Sequence, residues 1–384
     1  MAESPINIFV PKPDEKTVLF VKDLRTWFPL RRGITEILKR APRRHVHAVD
    51  GVSFKIQEGD VFGLAGESGC GKTTTGKTIL RLVDPTGGVI GYRPRKKLLD
   101  EWSELGYEPP VIDEYGDIDI AKIPAKYLKP LRKEMQMIFQ DPYGSLNPRY
   151  TIYKILEEPL IIHKIGSTKE ERYDIVARAL EAVKLTPPEE FMERYPHMLS
   201  GGQRQRVVIA RALILQPKFI VADEPVSMLD VSIRAEILEL MMELKQKMNL
   251  TYIFITHDLA LARYITNKIA IMYLGKIVEM GPTRRVLENP MHPYTKALIA
   301  AIPEPDPSNR KIIRELPIKG EVPSAVNIPP GCRFRPRCVT YDNTPEIKKY
   351  CEKIEPPLIE VEKDHYVSCW AHGNPEEIIK YMRK

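Results

Sequence analysis

The sequence has no run approaching the ~18 consecutive apolar residues that a membrane-crossing helix needs. Its opening, MAESPINIFVPKPDEK, lacks the basic-then-apolar order of a secretory leader. A cytosolic protein is therefore expected, and any work at a membrane would need partner subunits. Cysteine is scarce, with 5 in 384 residues, so no disulfide framework spans the chain. Only Cys70 lies in the N-terminal half, while Cys332, Cys338, Cys351 and Cys369 all fall near the C-terminus. Charge of one sign is not in excess either: 58 basic residues face 51 acidic ones, a net charge of +7. So mild a balance is no signature of a nucleic-acid binder, and none is expected as a partner. No internal repeat divides the chain.

What is present is an ordinary globular composition, 43% hydrophobic and 28% charged, in a chain long enough for one large domain or two modest ones. Residues 1–16 are polar and proline-punctuated, and a loose tail is expected there. TVLFVKDLRTWF from Thr17 predicts a strand, the basic loop RRGITEILKRAPRRH follows, and AVDGVSFKI predicts a second strand. VFGLAG is a short apolar run ending in glycine, a buried strand feeding a loop, and the pattern turns helical from Lys72 to Val83. Residues 92–130 carry prolines, charges and Trp102 with little periodicity, which predicts a surface insertion. The stretch from about 141 to 215 is mainly helical. FIVADEP and TYIFITHD are buried strands separated by a helix, and KIAIMYLGKIVEMG predicts a hairpin. Strands alternating with helices predict an α/β fold on a mostly parallel sheet. Beyond Pro282 the composition becomes proline-rich, so 17–282 is expected as the main domain and 283–384 as an appended, separate unit.

Gly66 to Thr74 reads GESGCGKTT, a match to G-x-x-x-x-G-K-[ST] between a strand and a helix. Gly66, Gly69 and Gly71 allow the unusual dihedrals that turn backbone amides toward phosphate oxygens. Glu67, Ser68 and Thr74 complete the loop, and Cys70 is read as a small filler. Lys72 brings an ammonium to the β- and γ-phosphates, Thr73 a hydroxyl to Mg²⁺, and the helix N-terminus a favourable field for anions. The strand FIVADEP ends in two carboxylates. Asp223 is placed to help hold Mg²⁺, and Glu224 to polarise an attacking water as general base. Alone, such an acidic strand end is weak evidence; after a phosphate loop it is strong.

LSGGQRQRVVIARAL, from Leu199 to Leu213, is the most specific string. Ser200, Gly201, Gly202 and Gln203 open a helix, so a hydroxyl and unpaired amides point off its N-terminus. A plain serine cap would explain the start of the helix but not the strings around it. With these motifs the sequence resembles the nucleotide-binding domain of ABC transporters. The resemblance implies a phosphate-loop ATPase fold with a helical subdomain, an antiparallel β subdomain and two ATPs sandwiched between two head-to-tail domains. It implies that Gln140 senses Mg²⁺ and communicates with membrane subunits. It further implies that SMLD, ending at Asp230, crosses the dimer interface, with Met228 where alanine is more common. His257 corresponds to the switch histidine on the γ-phosphate; by itself it would read as a strand-end histidine. These domains usually stack an aromatic on adenine, and here Phe28, Arg43, His45 and His47 all stand as candidates.

QDPYGSLNPR, DEPVSMLDVSIRAEIL and NPMHPYTKALIAAIPEP narrow the resemblance to the ATPases of dipeptide, oligopeptide and nickel importers, over residues 18–372 with the insertion excepted. The implied role is an ATP-hydrolysing motor for peptide uptake, or alternatively for oligosaccharide or nickel, on the cytoplasmic face of the membrane. Two permease subunits, a substrate-binding protein and a homologous second ATPase are the implied partners, this chain matching the second of the heterodimeric pair. The spacing C-x5-C-x12-C-x17-C of the tail lacks the paired C-x2-C knuckles of structural zinc. Four thiolates also suit a [4Fe–4S] cluster, which the resemblance implies for some members; zinc and no metal stay open. Arg333, Arg335 and Arg337 are read as paired with acids or simply solvated.

Three rival readings fare worse. A DNA-repair ATPase needs a long coiled coil between the phosphate loop and LSGGQ, where only about 125 residues lie. A translation-type ATPase carries two cassettes, and an iron–sulfur redox protein has no use for LSGGQ and a base together.

Overall fold

The computed structural model describes residues 6–32, 42–302 and 317–382. Part of the basic loop, residues 33–41, and the proline-rich stretch 303–316 lie outside the described residues, as do residues 1–5. Two sheets organise the rest. The larger has eight strands in the order β11-β12-β10-β9-β3-β8-β7-β6. Its parallel half comprises β3 (Val61–Ala65), β6 (Met135–Ile138), β7 (Phe219–Asp223), β8 (Thr251–Thr256) and β9 (Lys268–Tyr273). Strands β3, β7 and β8 are buried at every position, the continuous apolar pattern of strands covered on both faces. β10 (Lys276–Pro282) returns antiparallel along β9, the hairpin that the sequence predicts.

The second sheet is antiparallel, in the order β2-β1-β4-β5, with β1 (Thr17–Pro29), β2 (His45–Gln57), β4 (Gly87–Tyr92) and β5 (Ile118–Asp119). One core cluster joins it to the main sheet, with Phe54 stacked on Phe62 at 4.8 Å. Another core fills the helical region, where α4 (Ile152–Ile162), α5 (Lys169–Ala182), α6 (Pro188–Glu193) and α7 (Gly201–Leu213) pack together. Preceding them are α1 (Lys72–Ile79), α2 (Lys96–Glu104) and α3 (Leu128–Glu134). After them, α8 (Val231–Met248) and α9 (Leu259–Ile265) flank β8, and α10 (Thr283–Glu288) and α11 (Pro293–Ala300) follow β10.

Three expectations change. The stretch 92–130, expected as a surface insertion, is anchored to the core as well: Trp102 on α2 is fully buried, its indole N–H donates to the Tyr127 carbonyl, and β5 joins the antiparallel sheet. A few large apolar residues spaced irregularly anchor it, and periodicity cannot register them. The N-terminal tail is not loose where it is described. Phe9 donates its N–H to the Leu358 carbonyl and sets its ring 4.8 Å from Tyr366. Finally, the C-terminal region is not hung separately on the cassette. Its hairpin, β11 (Ile359–Glu362) and β12 (His365–Val367), adds two strands to the main sheet through β10. The rest is short helices, α12 (Val339–Asn343), α13 (Pro345–Lys353) and α14 (Pro375–Met382).

Candidate nucleotide site

The loop between β3 and α1 curls at the C-terminal ends of the parallel strands, where open α/β sheets bind ligands. Glycine is sterically required at two of its positions. A Cβ on Gly66, at φ +146°, would lie 2.3 Å from the Met272 carbonyl oxygen. On Gly71, at φ +109°, it would lie 2.1 Å from the Ala48 carbonyl oxygen. Gly71 also caps α1, so the loop delivers its chain directly into a helix N-terminus. The Lys72 ammonium folds back to donate to the Gly66 carbonyl at 2.7 Å and the Glu67 carbonyl at 3.0 Å.

A cavity of 480 Å³ opens over this loop, lined by Ser68, Gly69, Gly71, Lys72, Thr73, Thr74, Gln140, Glu224, His257 and Ala48. Strand ends bring the acids to it. The Thr73 hydroxyl donates to Asp223 Oδ1 at 2.9 Å. Burial pushes the Asp223 carboxyl up, the Thr73 bond opposes this, and the neighbouring Glu224 adds to the rise. A buried carboxylate with a hydroxyl beside it and a second acid next in sequence is a donor set suited to a hard divalent cation. Glu224 follows at φ 46°, a left-handed conformation costing about 1–2 kcal/mol in a non-glycine residue. Its Oε2 is met from two sides, by Gln140 Nε2 at 3.0 Å and by His257 Nδ1 at 3.0 Å.

Other sequence candidates fall elsewhere. Ser200 caps α7, its hydroxyl accepting the Gln203 N–H at 3.3 Å while Gln203 Oε1 accepts the Ser200 N–H at 3.0 Å. Gly202 lets α7 approach α8, since a Cβ there would meet Ile233 at 2.8 Å. Asp230 is the N-cap residue of α8, and Met228 is exposed. None of Ser200, Gly201, Gly202, Gln203 and Asp230 lines the cavity. None of Phe28, Arg43, His45 and His47 lines it either; Ala48 does, a residue without a chemical signature in sequence. His47 instead stacks on Trp27 at 4.3 Å, and Phe28 is exposed at the end of β1. Within the loop, Gly66 and Cys70 do not line the cavity, and Cys70 is buried, with burial raising its thiol. The Glu67 carboxylate meets the Arg337 guanidinium, at 2.7 and 3.2 Å.

The four C-terminal cysteines are free thiols in one neighbourhood. Cys332 donates its N–H to the Cys351 carbonyl at 2.8 Å and packs against both the C-terminal core and the core shared with the cassette. Burial, then the mutual proximity of the others, pushes the Cys332 thiol far up, Cys369 up to about 12 and Cys351 to about 11. Among the described residues, no three metal-ligating side chains close tightly enough to share a single ion. Arg333 and Arg337 are both paired rather than solvated, Arg333 with Asp50 and Glu355.

Comparison with known proteins decides the family. The oligopeptide transport ATP-binding protein AppF of Bacillus subtilis is 41% identical over 94% of this chain and 99% of its own length. The chain belongs to the ATP-binding subunits of ABC transporters, in the oligopeptide/dipeptide importer family. The ABC transporter family description matches residues 49–227 of the ABC ATPase, and that of the oligopeptide/dipeptide transporter C-terminal region matches 278–343. The dipeptide transport ATP-binding protein DppF of Haemophilus influenzae is 43% identical over 82% of this chain and 86% of its own. Among solved structures, the ATP-binding cassette MJ0796 in a dimeric post-hydrolysis state with ADP and Pi superposes with TM-score 0.54 at 27% identity, covering 69% of this chain and 99% of that one. This ABC ATPase hydrolyses ATP to drive an importer, whose permease subunits and substrate-binding protein are its partners. Among the described residues it has no helix long and apolar enough to cross a membrane.

Proposed function

We propose that this ATPase powers uptake of di- and oligopeptides from the cytoplasmic face of the membrane, paired with a homologous second ATPase. The end-to-end match to a relative named for oligopeptide transport carries the substrate class. ATP is the substrate of the cavity. Its phosphates rest on the amides of the 66–74 loop, and Lys72 supplies the nearest positive charge. Thr73 and Asp223, with Gln140, hold Mg²⁺, which neutralises phosphate charge when bound. Glu224 accepts the proton of the attacking water at a carboxylate oxygen, and Gln140 and His257 orient that carboxylate. Ser200, Gly201, Gly202 and Gln203 face away from the cavity of their own chain and close over the partner's ATP, with Asp230 beside the interface. In this proposal residues 17–282 form the cassette and 283–384 an extension whose hairpin joins the cassette's main sheet.

The four cysteines hold a [4Fe–4S] cluster in this proposal. Around zinc, four thiolates at ~2.3 Å from the metal crowd against one another. A four-iron cluster spreads its ligands more widely and takes four thiolates. When bound, such a group staples a region with little core of its own. Co-purification with the permeases, reconstitution into vesicles and addition of the cognate binding protein test the reading. ATP-dependent accumulation of labelled peptide is expected. Accumulation of an oligosaccharide or of nickel, and not of peptide, overturns the substrate. Analysis of anaerobically purified protein for iron, sulfide and zinc decides the cysteine site.

A further inference from the structure

The phosphate loop is gripped from outside the cassette. The Glu67 carboxylate receives two bonds from the Arg337 guanidinium, Nη1 to Oε2 at 2.7 Å and Nη2 to Oε1 at 3.2 Å, across 270 residues of sequence. This is the fork-on-fork geometry that fixes a carboxylate in plane as well as in place. The arginine side chain is 8% exposed, and its remaining Nε donates to the Lys319 carbonyl. Its guanidinium also lies 5.9 Å from the ring centre of Tyr273. The Glu67 backbone is held too: its N–H donates to the Tyr294 hydroxyl on α11 at 2.9 Å, and its carbonyl accepts from Lys72 at 3.0 Å. Four bonds therefore join one residue of the loop to its surroundings, three to the C-terminal region and one to the phosphate-binding ammonium.

We propose that Arg337 is a positioning residue for ATP: by forking Glu67 it fixes the loop carbonyls that hold Lys72, and so sets nucleotide affinity from the C-terminal region. Arg337 stands one residue before Cys338, at the end of a single helical turn spanning Arg335–Arg337. Whatever orders that turn is transmitted to the phosphate loop. Loss of the fork frees Glu67 without removing any group that touches ATP, so binding weakens while the chemical step survives. The inference rests on the ATPase reading.

The test uses the full-length chain and a fluorescent ATP analogue, with steady-state hydrolysis measured in the complex. Arg337→Ala is expected to weaken binding roughly fivefold or more, the lower range of coupling between linked sites, with kcat at saturating ATP changed less than about twofold. Arg337→Lys, which keeps the charge but not the fork, is expected to recover part of the loss. Arg333→Ala removes a neighbouring arginine that holds the Leu274 carbonyl, Glu355 and Asp50, and is expected to leave affinity unchanged. The double variant Arg337→Ala with Glu67→Gln is expected to bind no more weakly than the worse single variant. Unchanged affinity in Arg337→Ala, additive losses in the double variant, or an equal loss in Arg333→Ala overturns the proposal. If Arg337→Ala does not fold, Arg337→Lys and Glu67→Gln decide it, and affinities equal to the unmodified chain overturn it. Failure of the ATPase reading itself is distinguishable, since the unmodified chain would then bind no nucleotide.

Discussion

The nucleotide cradle and the C-terminal cysteine region are built in opposite ways, although one arginine joins them. The cradle is made by nine consecutive residues and the ends of fully buried strands, so its geometry is written in backbone dihedrals and strand order. The cysteine region has short helices, strands of four and three residues, one small core of its own, and a share in a core built mostly by cassette residues. It is held by side chains that reach the cassette: Arg333 to Asp50, Arg337 to Glu67, and His365 to Glu279. The difference teaches where each is vulnerable. Chemistry should fail first in the cradle, and structure first at the junction.

The largest expected effect is on the cradle. Glu224→Gln keeps the shape of the side chain but removes the base, and hydrolysis should fall by ~10²–10⁴-fold while ATP still binds. Phosphate release and nucleotide binding, measured side by side, check this, and sustained turnover would remove Glu224 from its role. On the other side, Glu279→Ala should destabilise the junction by about 3 kcal/mol. It strands His365, with both side chains fully buried, and leaves the Met291 and His292 amides without their acceptor. Thermal unfolding of the full-length chain, followed at Trp370 fluorescence, would reveal it; an unchanged transition would contradict the role given to this pair.

Acid should find the same junction. Burial lowers His292 from 6.5 to about 4, outweighing the nearby Glu279, so the folded chain holds it neutral. Between those values the unfolded chain binds more protons, so stability falls as pH drops from 6.5 toward 4, by at most ~3 kcal/mol. Glu279 has the complementary behaviour. Burial would raise it, but its bonds to His365 and to the Met291 and His292 amides hold it below 4.5. Its contribution is thus present above 4.5 and lost as pH falls through its lower folded value. Denaturant titrations from pH 7 to 4 should show the loss, and His292→Gln should flatten it. The smallest effect is expected at Gly69, where an added Cβ meets nothing within 4 Å although φ is +78°. Gly69→Ala should cost about 1 kcal/mol and weaken ATP binding less than Gly71→Ala, which should abolish it. Equal losses in the two variants would mean that strain, not collision with Ala48, governs the loop.

Much of the cradle is legible in the sequence. GESGCGKTT, FIVADEP and TYIFITHD each place reactive side chains at the end of an apolar strand, and a strand end is a local property. Gln140 is harder to read, because it meets Glu224 only through the adjacency of β6 and β7. Ala48 is invisible, having no chemistry of its own. Trp102 shows the same limit in the fold: a lone aromatic in an aperiodic stretch gives no sign of the core that buries it.

The amino-acid sequence by itself determined the phosphate loop, the paired acids, the LSGGQ helix start and the alternation of strands and helices. These depend on neighbours within a few residues, through steric limits on φ and ψ and the period of apolar side chains. Only the tertiary structure decided that Gln140 and His257 converge on one carboxylate oxygen, and that β11 and β12 complete the main sheet. Only it showed that Glu67 turns from the nucleotide to Arg337. Such pairings join residues up to 270 positions apart, and no local pattern records them, because the chain must close on itself before either partner has the other.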